Sequence, residues 1–245
     1  MTLLRDWAVV LRTYRLGEAD RIVVLLTEDH GKVRAVAKGV RRTASKYGAR
    51  LEPLSHVSLM LWQGRSDLAT VNQVEVVDHF RPVREDLERL GQGLSMLEVS
   101  DQLSQEGHRD PGLFRMLVGA LGALADRRTQ PFLVAPAFFW KSLAHEGAEP
   151  VLDSCASCGA PSPPAELVAF DFVEGGALCT SCRRGRAVSP DALHVVRQIL
   201  GGSLARVLSE PLPACADEVA ALATEAMEAH LERRLRSVRA SAGFA

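Results

Sequence analysis

Four of the five cysteines stand in two CxxC pairs, Cys155/Cys158 and Cys179/Cys182. Two cysteines separated by two residues can aim both sulfurs at one ion from a single tight turn, and a second such turn completes four-coordination. With every ligand a thiolate, no position is left for water or substrate, so the implied ion, expected to be Zn2+, holds a fold together and activates nothing. Gly159 and Gly185 follow the two pairs and supply backbone freedom where amides fold back toward the sulfurs. Val168, Phe170 and Phe172 alternate ahead of Glu174-Gly175-Gly176, which predicts a small hairpin delivering the second pair. Two disulfides are the other use of four cysteines. The opening Met1-Thr2-Leu3-Leu4 carries no signal-peptide pattern, and 245 residues have a core of their own, so the metal is favoured. Cys215 stands apart and is expected to be a small buried thiol near a helix start.

A second chemistry lies in charge. Lys32, Arg34, Lys38, Arg41, Arg42, Lys46 and Arg50 fall between residues 32 and 50 without one Asp or Glu among them. The formal net charge is -1, so any attraction to polyanions has to be local. On spacing alone such a run is equally a solvated face. Tyr14 and Tyr47 are candidate base stackers and equally candidate barrel residues.

Catalytic patterns are wanting. Gly31-Lys32 is followed by Val33 with no glycine array before it, so it is not a phosphate-binding loop. After His145-Glu146, Glu149 stands where a zinc protease needs its second histidine. Gly201-Gly202-Ser203-Leu204-Ala205 lacks the last glycine of a nucleophile elbow. His30, His56, His79, His108, His194 and His230 are scattered. The expectation is a protein that is not an enzyme.

The elements that must position these groups change character along the chain. Strand-like segments cover 7–14, 21–27, 32–38, 55–62 and 70–77, with Asp29-His30-Gly31 as a turn. Five strands in about eighty residues, followed by helix, predict an OB-fold barrel that binds single strands on one face and through its loops. The basic run covers one strand and the loop after it. Beyond Pro82 the period becomes helical: Leu87, Leu90, Leu94 and Leu97, then Leu113, Leu117, Leu121 and Leu124. Residues 131–146 place Phe132, Ala135, Phe139 and Leu143 on one stripe, Ser189-Pro190-Asp191 opens a further helix, and Val219, Leu222, Ala226 and Ala229 line a last one. Arg233, Arg234, Arg236 and Arg239 suit the negative end of that last helix.

The fold class expected is thus α+β and multidomain. Residues 1–80 form the nucleic-acid-binding barrel, a five-stranded OB fold. Residues 81–150 with 186–245 form a helical domain, and 151–185 an inserted zinc module built on the four paired cysteines. A composition of 47% hydrophobic and 24% charged residues, with no apolar run near the roughly 20 residues of a membrane helix, fits a compact cytoplasmic protein without a membrane partner.

The segments Ala8-Val9-Val10-Leu11-Arg12-Thr13, Gly17-Glu18-Ala19-Asp20-Arg21, Thr27 to Gly31 and Lys38-Gly39-Val40-Arg41-Arg42 resemble the bacterial recombination mediator family RecO. Phe138-Phe139-Trp140-Lys141 through Gly147, Pro150 and Cys155-Ala-Ser-Cys158-Gly159 resembles that family's approach to its cysteine module. The resemblance runs over most of the chain up to Cys182. It implies a DNA-repair and recombination protein, associated with the nucleoid, that anneals complementary strands and helps load recombinase onto DNA coated by single-strand-binding protein. Implied partners are single-stranded and double-stranded DNA, the ring-forming mediator RecR, and the C-terminal tail of single-strand-binding protein. A protein-interaction adaptor, whose basic surface meets an acidic partner and whose DNA contact is incidental, is the competing class.

Overall fold

The computed structural model describes residues 2–41, 45, 47–64 and 68–238. Five strands come first: β1 (Thr2–Leu16), β2 (Asp20–Thr27), β3 (Gly31–Ala37), β4 (His56–Gln63) and β5 (Ala69–Asp78). They close into a barrel in the order β1-β2-β3-β5-β4. Closure depends on β1, which pairs through its first half with β4 and through its second half with β2. Between Val10 and Arg12 its register to β2 shifts, and such an irregularity bends a strand around a barrel. β3 and β5 meet in parallel at Ala35–Ala69 and Val36–Thr70, completing the ring.

Alternation sorts the side chains. Ala8, Val10, Val23, Leu25, Ala35, Ala37, Val57, Leu59, Leu61 and Val71 fill the interior. Tyr47 joins them, 3% exposed, its hydroxyl donating to the Val71 carbonyl at 2.8 Å. It is therefore a core residue and offers no stacking surface. β2 is apolar on both sides from Ile22 to Leu26 because its outer residues Val24 and Leu26 are buried as well. Helices cover them: after the short α1 (Arg81–Arg84), α2 (Leu87–Leu103) packs on β1, and α3 (Pro111–Ala125) packs on β1 and β2. Asp86 and Asp110 cap α2 and α3, accepting the amide N–H of Arg89 and Leu113 at 3.0 and 2.9 Å.

The face α2 buries takes in only Leu97 of its leucine stripe. Leu87 is 69% and Leu94 40% exposed, while Gly93, Met96, Leu97, Val99 and Ser100 face inward. Close approach explains the choice. A side chain at Gly93 would meet Leu54 at 3.0 Å and Val83 at 3.2 Å, so the helix lies nearer the barrel than a leucine there would allow.

The β2–β3 turn is held from below by Asp6. This buried carboxylate accepts the amides of Trp7 at 2.7 Å and Asp29 at 3.1 Å, and His30 Nδ1 lies 2.5 Å away. Asp6→Ala leaves those amides unpaired and should cost about 1–3 kcal/mol of stability in urea unfolding, with Asp6→Asn recovering part of the loss.

Packing divides the chain into two compact units. One runs from the barrel to Asp126 and takes in Ser237; the other is Arg127–Arg236. The helices are therefore shared out: α1 to α3 group with the barrel, and the later helices group with the cysteines. In the second unit a 3-10 turn at Pro131–Leu133 leads into α4 (Val134–His145), whose residues 134–140 are all buried. A helix apolar all round is a central helix, so the expected single stripe is too narrow. The three-stranded sheet β7-β6-β8 follows, from β6 (Leu167–Asp171), β7 (Gly176–Cys179) and β8 (Arg186–Ala187). α5 (Pro190–Leu200), α6 (Leu204–Ser209) and α7 (Ala216–His230) complete the unit, with α4, α5 and α7 in mutual contact. The Arg233–Arg236 cluster lies past the end of α7, where Arg234 pairs with Glu228 at 3.1 Å, and Arg239 lies outside the described residues. No helix of the described residues is long and apolar enough to cross a membrane.

Candidate metal centre and nucleic-acid interface

The two cysteine pairs converge. The sulfurs of Cys155, Cys158, Cys179 and Cys182 all lie within 4.8 Å of one another, and those of Cys158 and Cys179 are 3.9 Å apart. Tetrahedral thiolates at about 2.3 Å from an ion are separated by about 3.8 Å, so the Cys158–Cys179 pair has that spacing and all four sulfurs are close enough to share one ion. All five cysteines are free thiols, which removes the disulfide alternative.

Local structure makes this possible. The first pair sits in a turn closed by Gly159 N–H to the Cys155 carbonyl at 2.8 Å and Cys155 N–H to the Ala160 carbonyl at 2.8 Å. β7 ends on Cys179, and a 3-10 turn at Thr180–Cys182 presents the last sulfur. The expected hairpin exists, with Val168 and Phe170 in β6, while Phe172 begins its turn. Asp171 fixes that turn by accepting the amides of Val173 and Glu174 at 2.9 and 3.0 Å. These amides, with the Arg184 guanidinium, hold the Asp171 carboxyl below the usual carboxylate range. Gly185 is required after the second pair: its φ is +73°, and a side chain would meet the Phe170 carbonyl oxygen at 2.5 Å.

The thiols are prepared unequally. Burial alone would raise Cys155, but the amides of Cys179, Cys158 and Ser157 together with the Cys158 thiol bring it down to about 6. Cys182 is pushed up to about 12 by its hydrogen bond with Cys158, then by burial and the remaining thiols. Backbone N–H groups aimed at sulfur are what a metal-bound thiolate needs, and Cys179 N–H lies 3.4 Å from Cys155 Sγ. The four residues fit a tetrahedral metal ion. Cys215, at the start of α7, has its thiol raised by burial.

The cations divide into three groups. Lys32 and Arg34 project from the outer face of β3. The Lys32 ammonium donates to the Asp101 carbonyl at 2.6 Å and lies 3.4 Å from its carboxylate, closing the C-terminal end of α2. A cation there satisfies orphan carbonyls and the negative end of the helix dipole. Arg34 Nε lies 2.7 Å from Glu106 without the alignment of a hydrogen bond. Lys38 and Arg41 form the second group, on an exposed turn after β3. That turn is docked on the β1–β2 loop: Arg41 Nη1 donates to the Glu18 carbonyl at 2.9 Å, Arg41 N–H to Ala19 at 3.0 Å, and Gly39 N–H to Asp20 at 2.7 Å. Arg50 is separate, on a 3-10 turn beside a groove along Asn72–Val76. Arg42 and Lys46 lie outside the described residues.

One participant does not belong to the basic run. Arg12, on β1, pairs with Asp101 at 2.9 Å and holds its guanidinium 5.0 Å from the centre of the Tyr14 ring. The spacing of Arg12 and Tyr14 is a legible signal, since residues two apart on a strand share a face. Asp101 and Glu106 carry no such signal, because they belong to α2 and the segment after it.

A closed five-stranded barrel with cations at its β1–β2 loop, on a chain that also carries four cysteines able to hold a metal ion, defines a protein of the OB class with a candidate metal centre. Residues 1–80 match the family model for the recombination protein O N-terminal domain, and residues 84–239 match that for its C-terminal domain. The chain belongs to the recombination protein O (RecO) family, whose members are DNA-binding proteins of DNA repair and recombination.

Proposed function

We propose that the chain is a non-catalytic recombination mediator that anneals complementary strands and assists recombinase loading on DNA coated with single-strand-binding protein. The observation that supports this beyond family membership is the Lys38–Arg41 turn fixed on the β1–β2 loop. OB folds receive nucleic acid on the β2–β3 face and the adjoining loops, and cations there lower the mutual repulsion of two phosphate backbones. RecR and the C-terminal tail of single-strand-binding protein are the proposed protein partners, DNA in single- or double-stranded form is the nucleic acid, and Zn2+ is the proposed ion of the cysteine centre. Zinc suits four thiolates in tetrahedral array and leaves the role structural.

Lys32, Arg34, Lys38, Arg41, Arg42, Lys46 and Arg50 remain the proposed DNA-binding set, ordered by availability: Lys38 and Arg41 first, Lys32 last because it also closes α2. Lys38→Ala with Arg41→Ala should slow annealing of two complementary oligonucleotides. It should also flatten the salt dependence of single-strand affinity by about 0.7 for each phosphate no longer neutralised. An unchanged slope would remove these residues from the interface.

The adaptor reading has one observation in its favour: the carboxylates of Asp101 and Glu106 already lie on Arg12, Lys32 and Arg34, so this surface accepts acidic side chains. A salt titration with plain oligonucleotide and no partner separates the two, because only the mediator binds.

A further inference from the structure

The outer face of the first three strands carries more than charge. Register places Tyr14, Ile22 and Val36 side by side across β1, β2 and β3, and Arg12, Val24 and Arg34 form the next rung, about 7 Å along. At Val24 the surface is closed, 1% exposed, whereas Tyr14 is 44% exposed and Ile22 and Val36 are partly open. Leu16 and Asp20 make the rung beyond, and Lys38 follows the end of β3. A ring beside two aliphatic side chains, with cations on both flanks, is therefore left uncovered where the helices stop.

We propose that the Tyr14–Ile22–Val36 rung is a stacking site for the bases of single-stranded nucleic acid, with Arg34 and Lys38 receiving the flanking phosphates and Glu106 holding the site closed until a strand displaces it. This rests on the DNA-binding reading of the barrel and adds the chemistry of the contact. Aromatic faces stack on any base, so the site is tolerant of sequence but demands unpaired bases.

The two acidic partners play different parts. Asp101 is buried and lies on both Arg12 and Lys32, so Arg12 stays fixed against the Tyr14 ring as a positioning residue. The Glu106 side chain is 48% exposed, and its contact with Arg34 is close but poorly aligned. It is thus the displaceable one, standing on Arg34 where a phosphate oxygen would stand. The chain brings it there as a pseudo-strand: Glu106 bridges to Gly31 and Lys32, and Lys32 N–H donates to the Gln105 carbonyl at 3.1 Å.

The test is fluorescence anisotropy of the full chain with a labelled thymidine homopolymer and a duplex of equal length at several salt concentrations. Tyr14→Leu keeps apolar bulk for folding but removes the ring. It should weaken single-strand binding roughly 5- to 100-fold, with the salt slope and duplex affinity unchanged and Tyr14→Phe behaving as wild type. Glu106→Gln should tighten single-strand binding and steepen its slope by about 0.7. Equal loss for single strand and duplex in Tyr14→Leu overturns stacking, and an unmoved Glu106→Gln overturns the closure. If Tyr14→Leu binds as wild type while Lys38→Ala is weakened, stacking falls and the DNA reading of the barrel survives. If neither variant changes affinity, both fall.

Discussion

Cys155→Ser is expected to release the metal and to unfold the module around β6, β7 and β8 ahead of the rest of the chain. Cys155 is 1% exposed and collects amide hydrogen bonds that stabilise a thiolate. A serine there gives the ion a poorer ligand and leaves those donors facing a hydroxyl. Structural zinc in zinc-finger peptides contributes roughly 10–16 kcal/mol of apparent binding energy near neutral pH, against about 5–15 kcal/mol for the net stability of a whole domain. The variant should therefore lose metal in a colorimetric zinc assay and melt well below wild type, while oligonucleotide affinity, which we propose is seated on the barrel, changes little. A well-folded Cys155→Ser that has lost DNA binding would contradict this and turn attention to Arg183. Arg184 is engaged by Asp171 and Glu174, and Arg186 by Glu225.

The same site sets a pH dependence of known sign. The Cys182 thiol, raised to about 12, is protonated throughout the neutral range and must lose its proton to coordinate. Protons and metal therefore compete for that sulfur. Apparent metal affinity should rise about tenfold per pH unit for each proton released, so acidification strips the ion and the module loses stability as pH falls.

How far the sequence carries these conclusions depends on the range of the interaction. The cysteine centre was legible because ligand spacing is a local property: two CxxC turns specify their own geometry, and only closure by β6 and β7 had to be supplied. The barrel was legible for a related reason, since alternation along a strand reports burial directly, and the expected strands differ from the observed ones mainly in the greater length of β1.

What the sequence hides is the counter-charge. Lys32 and Arg34 read as part of an unbroken cationic run because no acid falls between residues 32 and 50, yet Asp101 and Glu106 reach them across some seventy residues. The leucine periodicity of α2 misled in a similar way. Leu87 and Leu94 have helical spacing, but the buried face was chosen by how closely Gly93 lets the helix approach Leu54 and Val83. Hydrophobic period names a helix; it does not name the face once a small residue permits closer contact. The grouping of α1 to α3 with the barrel has the same origin, because outer residues Val24 and Leu26 need covering and the nearest helices cover them.

Gly31→Ala should be among the most destabilising single substitutions in the barrel unit, and its consequence should reach the proposed DNA-binding face. Gly31 has φ +67°, and a side chain there would lie 2.0 Å from the carbonyl oxygen of His108 and 2.6 Å from its carbonyl carbon. Those are backbone atoms, which cannot rotate away as a side chain would and can yield only if the whole segment shifts. The turn is also constrained from its other end, since the Thr27 hydroxyl donates to the Gly31 carbonyl at 2.8 Å and accepts His30 N–H at 3.0 Å. Left-handed strain costs about 1–2 kcal/mol, and displacement of the 105–108 segment adds to it, for an expected loss of about 3 kcal/mol or more in urea unfolding. Gly17→Ala is the control: φ is +58° but nothing lies within 4 Å, so only the left-handed cost applies. Because the displaced segment carries Glu106, folded Gly31→Ala should also free Arg34 and bind single strands more tightly than wild type at low salt. Equal stability of the two glycine variants would mean that the 105–108 segment does not press on β3, and Glu106 would then lose its hold on the ligand face.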